Sequence, residues 1–512
     1  MRFNKFIWSL FCGSKAGRAA ISRYESFLAR DERWVELAPK SWMEKLRPLD
    51  AMAAQVVFDE VDGVRVASQD HAGELYERLL DEGFTLSLDV EDGDTIYTVV
   101  GGDDEPGAWL SMIQGISLGL FKAHPEHFAL YLFLRQFNRF NEICDEFGIA
   151  VPVLPGKASW RDRAMFYLRI NASLQEFRRI HALTPAELCA FLYDFSPHHL
   201  AQERGELPPA SKVWFLMGGA GDSNDFEFLD AAGDDSTSYW QGNVDTRRGD
   251  IMVMWCVSPR SYVHSIWRAE TDGFIDPFFH YHSTVWIGAR VKVPEITFRE
   301  IAADPVWSNK PAVKAHFQGA SGKPVTAEEY EALLRMIKRK RGKLSDLPRL
   351  HGPDLPDHVD VESEREVEQR LLEPLLRELG YVERDWIRNM PVRMGRGERV
   401  YPDYAIGAVL KRGEETARII VEAKRELATE KQILDAYQQA KSYAQRLQSA
   451  AFVLVAREGV WIFLQEKGGF LRSRYLHRSW AELRGSDGLH EVKLMIGKAK
   501  SRAWAVTPKV PG

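Results

Sequence analysis

The chain has 512 residues, too many for a single hydrophobic core, so roughly two to four domains are expected. Hydrophobic residues make up 45% and charged residues 27%, an ordinary balance for a folded globular protein, and no run reaches the roughly 20 apolar residues of a membrane-spanning helix. The net charge of −6 is uneven: from Val361 onward 27 Lys and Arg face 21 Asp and Glu, a balance of +6, which leaves −12 on the first 360 residues. A basic module on an acidic chain is where a polyanion would be met, although random surface variation produces similar imbalances.

The opening MRFNKFIWSLFCGSK resembles a signal peptide only superficially: its apolar run is cut by Lys15 and Arg18, and no small-x-small cleavage pattern follows. It reads as a first buried helix or strand. Cys12, Cys144, Cys189 and Cys256 are scattered without CxxC spacing, so neither a zinc site nor a disulfide framework is expected, and a reducing, cytoplasmic compartment fits best.

Residues 1 to about 205 are expected to be mainly helical and to have no legible role. Leu130, Leu132, Leu134, Phe137 and Phe140 recur at spacings a buried amphipathic helix could use, and a second helix is expected from Trp160 to Ile180. Phe84 to Val100 alternates like a hairpin. Thr184, Pro185 and Glu187 mark a helix start before an apolar run.

Composition shifts at HLAQERGELPPASK, a polar linker. KVWFLMG, GDIMVMWCV, SYVHSIWRAE and STVWIGARVKV then read as strands of a small β-barrel or curved sheet over about 210–337, closed by a helix that Thr326 and Glu329 would cap. Residues 338–361, basic at Lys338 to Lys343 and rich in Pro and Asp, read as a flexible linker.

The last segment, 362–512, carries the chemistry. Val367, Leu371, Leu372, Leu375, Leu376 and Leu379 form the apolar stripe of a helix that Gly380 ends. Strands are expected around Val392 and Tyr404, and again over Ile419 to Val421, followed by Glu422 and Lys424. Residues two apart on a strand share a face, so Glu422 and Lys424 should project together. A helix from about Lys431 to Gln448 and a hairpin in FVLVAREGVWIFL complete the segment. Breaking a phosphodiester calls for a divalent ion held by hard carboxylate oxygens. Asp403 and Glu422 are the metal-holding candidates, for Mg²⁺ with Mn²⁺ as substitute. Lys424 would orient or deprotonate the water and offset phosphate charge.

The order helix–strand–PD–strand–ExK–helix–QxxxY resembles the PD-(D/E)xK nucleases, most of all the nuclease domain that opens type I restriction motor subunits. Pro402 and Asp403 match the PD, and 19 residues on Glu422, Ala423 and Lys424 match the ExK. The resemblance places Glu364 at the acidic position of the first helix, with Glu366 and Glu368 as competitors. It places Gln439 and Tyr443 in the QxxxY pattern, with Gln438 as a competitor. It spans about 362–470, without helicase motifs, and implies catalytic roles for Asp403, Glu422, Lys424, Glu364 and Gln439.

The middle segment concentrates Trp214, Trp240, Trp255, Trp267 and Trp286 with Phe278, Phe279 and Tyr281; such aromatics could cage a flipped base or simply pack. W-x-G followed by GD, a strand and S-P-R-S resembles EVE domains of the PUA superfamily, which are associated with reading modified bases. That resemblance implies that Trp240, Trp255, Ser258, Arg260 and Ser261 lie near a base pocket. His264, His280 and His282 read as solvated or packed rather than as metal ligands. The expected architecture is therefore multi-domain α+β: a helical N-terminal region, a PUA-like (EVE) β-barrel, and a C-terminal α/β PD-(D/E)xK nuclease core. The expected function is a modification-dependent restriction endonuclease acting on foreign, for example phage, DNA. It would work as a homodimer, since a duplex needs two cuts, and away from any membrane. The alternatives are a nuclease of modified or structured RNA and a non-cutting nucleic-acid sensor.

Overall fold

The computed structural model describes residues 3–29, 48–82, 86–92, 95–101, 107–203, 205–219, 225–279, 283–356, 360–393, 399–410, 415–466 and 469–498. They form a mixed α/β protein that divides into two compact units. The first takes residues 1–207 with Tyr239–Val244 and Asp272–Val285; the second takes Pro208–Ser238, Asp245–Thr271 and Trp286–Gly512. No helix among the described residues is long and apolar enough to cross a membrane. The four cysteines are free thiols.

The first unit is helical, as its patterning predicts. Helices Lys5–Gly13 and Lys15–Ala29 open it, with Trp8, Tyr24 and Phe27 buried. The expected helix at Trp160 runs to His181, and Thr184 and Glu187 form the expected capping box. The expected hairpin is present: Leu86–Asp92 pairs antiparallel with Thr95–Gly101.

One expectation is corrected. Residues 128–133 are not helical but irregular and buried, and a helix begins only at Phe137. A buried segment without helix or strand leaves backbone groups that need partners away from water. Buried polar side chains supply them. Asn171 Oδ1 accepts the Ala129 N–H at 2.7 Å, Ser117 Oγ accepts the Tyr131 N–H at 3.0 Å, and the Tyr193 hydroxyl accepts the Leu132 N–H at 3.1 Å. Tyr167 and Tyr193 donate back to the Ala129 and Leu130 carbonyls.

The second unit begins with a mixed sheet of β1 (Val213–Gly218), β2 (Ile251–Cys256), β3 (Tyr262–Ala269), β4 (Ser283–Thr297, its first three residues counted with the first unit) and β5 (Lys323–Val325), in the order β5-β1-β2-β3-β4. β1 and β2 run parallel, which requires a crossover; α1 (Asp225–Ala231) lies within it. The pairings form an open series, and no pairing among the described residues closes a barrel. Closure is unnecessary because α2 (Ala327–Arg339) lays Ala332, Leu333, Met336 and Ile337 on the sheet face made by Val213, Phe215, Ile251, Val253 and Trp255. Thr326 and Glu329 cap α2 reciprocally, as their spacing predicts.

The segment after α2 is not a loose linker where it is described. Leu347 is buried in the same core, with Leu344 and Leu350 packed against it, and Leu355 joins the next core. The Tyr330 hydroxyl donates to Pro348 O at 2.8 Å, and the His351 N–H donates to Ala210 O at 2.8 Å. Three leucines spaced three apart anchor this irregular path despite the surrounding Pro and Asp. Residues 357–359 lie outside the described set.

The remainder of the second unit is built on a second sheet. A helix, α3, runs Glu364–Val367, through a π turn Glu368–Leu372, into Glu373–Glu378, and Gly380 follows it in the left-handed region at φ 88°. The sheet orders β6 (Trp386–Arg388), β7 (Tyr404–Ile406), β8 (Ile419–Ala423), β9 (Ala451–Ala456) and β10 (Gly459–Glu466). Only β8 and β9 are parallel, joined by α4 (Glu430–Arg446), as a crossover helix requires. The apolar stripe of α3 packs on one face with Val421, Val453 and Ile462, and α4 covers the other through Ala436, Ala440 and Ala444.

The two sheets of this unit are tied by polar contacts. Ser211 Oγ lies 3.1 Å from His490 Nδ1, Lys212 pairs with Asp487 at 3.0 Å, and His351 Nε2 meets Glu378 at 3.0 Å.

Candidate active site

The register of β7 and β8 sets the site. Tyr404 pairs with Val421 in an antiparallel ladder, so Asp403, one step earlier, faces Glu422, one step later. The Ala423 N–H donates to Asp403 Oδ2 at 2.7 Å, fixing that carboxylate against the end of β8. Glu422 is buried, and its Oε1 accepts from Lys424 Nζ at 3.0 Å and from Gln439 Nε2 at 2.7 Å. Lys424, directly after β8, lies on the same side as Glu422, as the two-residue period predicts.

Glu422 Oε2 is buried without any hydrogen-bond partner. A buried carboxylate oxygen left unsatisfied is costly, so the site is short of a donor or a cation at that point. Burial, and then the Asp403 charge, push the Glu422 carboxyl up to about 7 against the pull of Lys424. Burial also raises Asp403, opposed by the Ala423 N–H and Lys424 and reinforced by Glu364. For Lys424 burial works against the ammonium, yet Glu422, Glu364 and Asp403 outweigh it and hold the group above its ordinary value.

The first helix contributes two carboxylates. Glu364 Oε1 stands 3.8 Å from Lys424 Nζ, a loose pairing at a half-exposed side chain. Glu368, one turn on, is raised by partial burial and by the Asp403 charge. Glu366 points elsewhere, accepting the Glu362 N–H at 2.7 Å. On α4 the choice between two glutamines is resolved: Gln438 is exposed, whereas Gln439 contacts both Glu422 and, at 3.2 Å, the Tyr443 hydroxyl.

Sequence reasoning missed the layer beneath. Glu373, buried on α3, accepts from the Tyr404 hydroxyl at 2.8 Å and pairs with Arg388 on β6. A 3.6-residue reading of α3 misphases this residue. In the π turn the Glu373 N–H reaches Glu368 O, five residues back, and the extra residue rotates the rest of the helix. Tyr404 adjoins Asp403, so this ion pair braces the strand that carries the site.

Among the described residues no three His, Cys, Asp or Glu side chains converge as a complete metal cage. The donor set nevertheless fits Mg²⁺, which keeps several waters and is commonly held by one or two carboxylates plus substrate phosphate. Asp403 and Glu422, with the unsatisfied Oε2, are the residues that would hold it.

Of the residues expected at a base pocket, Ser258, Arg260 and Ser261 share one turn, and the tryptophans are buried. Trp240 is buried and falls with the first unit. Trp255 is core: it lies 4.7 Å from the Phe317 ring and 6.1 Å from Phe215, with 2% of its surface exposed. Ser258 is exposed in the turn after β2, and Ser261 follows at φ 48°. Arg260 makes a forked pair with Asp230 at 2.9 and 2.5 Å and lies over the Phe226 ring at 4.3 Å. Trp214, Trp267, Phe278 and Phe279 are also buried. His264 is buried against Ser265 and Asp230, as a packed histidine should be, while His280, Tyr281 and His282 lie outside the described residues.

No family model matches this chain, and no curated protein does. Among solved structures, the NMR structure of Rpa0253 from Rhodopseudomonas palustris aligns at 18% identity with a TM-score of 0.22, covering 25% of this chain and 94% of that one. A likeness of that size carries no argument about fold or activity.

Proposed function

We propose that this chain is a metal-dependent nuclease of the PD-(D/E)xK type that hydrolyses a phosphodiester bond. The observation that carries the reading is Glu422, a buried carboxylate with one oxygen held by Lys424 and Gln439 and the other unsatisfied beside Asp403. Bound Mg²⁺ would neutralise phosphate charge and lower the pKa of the attacking water. Asp403 and Glu422 would hold it, and Gln439 fixes the Glu422 rotamer. Lys424 places a cation where charge develops on the attacked phosphate and can hold the nucleophilic water. Glu364 and Glu368 supply further oxygen acceptors at the mouth of the site.

The substrate in this reading is foreign DNA carrying a modified base, with the β1–β5 module as reader and a homodimer supplying two cuts. Support for the reader is the resemblance of its sequence to EVE domains, together with the turn Ser258–Ser261, where Ser258 is exposed and Arg260 and Ser261 are half-buried. The deciding experiment is cleavage of supercoiled plasmid, unmodified or carrying methylated or hydroxymethylated cytosine, with tRNA as a parallel substrate. Mg²⁺-dependent cutting of modified DNA that Asp403→Ala or Lys424→Ala abolishes is expected. Cutting that survives either substitution overturns the assignment, and cutting of tRNA alone redirects it to RNA.

A further inference from the structure

The outer face of the β1–β5 sheet, opposite the α2 core, carries a buried polar chain. Trp267 Nε1 donates to Ser265 Oγ at 2.8 Å, and Ser265 Oγ lies 2.9 Å from His264 Nδ1. A hydroxyl both accepts and donates, so Ser265 Oγ can serve the indole and Nδ1 at once, which leaves the second ring nitrogen, Nε2. That nitrogen faces Asp230 at 3.4 Å. Asp230 is already committed to the forked pair with Arg260.

Arg290 stands beside this chain and is not compensated by it. It is 7% exposed, its Nε is buried without a partner, and among the described residues it makes no hydrogen bond and no ion pair. It is close enough to His264 that, after burial, its charge is the main influence keeping the imidazole neutral, with Lys292 acting in the same direction. The backbone turns it inward by a bulge. Between the pairs Ile266–Val291 and Arg268–Gly288, β4 carries one residue more than β3, and Ala289 there adopts φ 46°. A guanidinium buried without an acceptor is unfavourable unless an anionic partner arrives. The nearby acid, Asp230, is taken by Arg260.

We propose that Arg290 grips a phosphate oxygen of a bound nucleic-acid strand, making this face of the β-module a phosphodiester-binding subsite separate from the Glu422 centre. The guanidinium offers a planar fork of donors suited to phosphate, and Lys292, on the same strand, adds a second cation at its rim. The inference rests on the reading of the β-module as a nucleic-acid binder.

The test uses the full chain in EDTA, with duplex DNA binding followed by fluorescence anisotropy across a salt series and melting temperature measured in parallel. Arg290→Met should weaken binding roughly 5- to 10-fold and make the slope of log K against log salt shallower by about 0.9, the value of one lost phosphate contact. Its melting temperature should stay level or rise, since an uncompensated buried charge is removed. Arg290→Lys should keep the slope and lose part of the affinity. Unchanged affinity and slope with a lower melting point mean a structural arginine and overturn the proposal. Stabilisation by inorganic phosphate that depends on Arg290, without any effect on DNA binding, overturns the assignment to a strand. If Arg290→Met does not fold, Arg290→Lys decides: weaker binding at unchanged melting temperature supports the subsite, and unchanged binding overturns it. Failure of the wild type to bind any nucleic acid sinks the functional reading itself, whereas a wild type that binds and cuts beside an indistinguishable Arg290→Met sinks only this inference.

Discussion

Gln439 Nε2 donates to Glu422 Oε1 at 2.7 Å while lying 3.2 Å from the Tyr443 hydroxyl, so one amide ties α4 to the buried carboxylate at the end of β8. It touches the group that would hold the metal. Outer-shell partners of this kind are typically worth about 10- to 100-fold in metal affinity or activity. Gln439→Ala should therefore lower cleavage by about that factor and shift the Mg²⁺ titration to higher concentration. An unchanged Mg²⁺ midpoint with full activity would remove Gln439 from the site, while Gln438→Ala should leave both untouched.

Glu422 makes stability depend on pH in a definite direction. Its carboxyl is raised to about 7 from an ordinary 4.5, by burial first and Asp403 second. A raised carboxyl favours the protonated folded form, so its stabilising contribution is complete below about 4.5 and is lost as pH rises through about 7. In EDTA at pH 8, Glu422→Gln should then be more stable than wild type by on the order of 2–3 kcal/mol, with the gap closing toward pH 4.5. Mg²⁺ should raise the melting temperature of the wild type and not of the variant. A pH-independent difference between the two proteins would contradict the assignment.

Trp255→Ala removes an indole packed between Phe215 and Phe317. A cavity of that size should cost about 3–5 kcal/mol of stability. Because the ring faces the core, the ratio of binding to modified and unmodified DNA should not move. Loss of that ratio at an unchanged melting temperature would return Trp255 to a pocket wall.

Glu378 holds the connecting segment to α3, accepting from the Asp354 N–H at 3.2 Å and meeting His351 Nε2 at 3.0 Å. With each hydrogen bond worth about 1 kcal/mol, Glu378→Ala should lower stability by roughly 1–2 kcal/mol, read by denaturant unfolding. Were the connection a free tether, the same substitution would leave stability unaltered.

Residue order alone is enough for the parts of this protein whose signal is local and periodic. The strands around Ile251 and Ile419, the capping boxes at Thr184 and Thr326, and the α3 stripe are all read from spacing, because side-chain direction repeats every 2 or 3.6 residues. The projection of Glu422 and Lys424 to one side comes from the same rule. Packing between distant segments settled what periodicity leaves degenerate. Leu130 and its neighbours suit a helix or a buried irregular run equally, and Asn171, Ser117 and Tyr193, distant in sequence, supply the hydrogen bonds that stabilise the irregular one. Gln439 and Gln438 are alike until α4 is turned against β8. Glu373 entered the site's support only through a π turn, and Arg290 was directed inward by a bulge; both shifts of register depend on pairing with other strands and helices rather than on the order of residues.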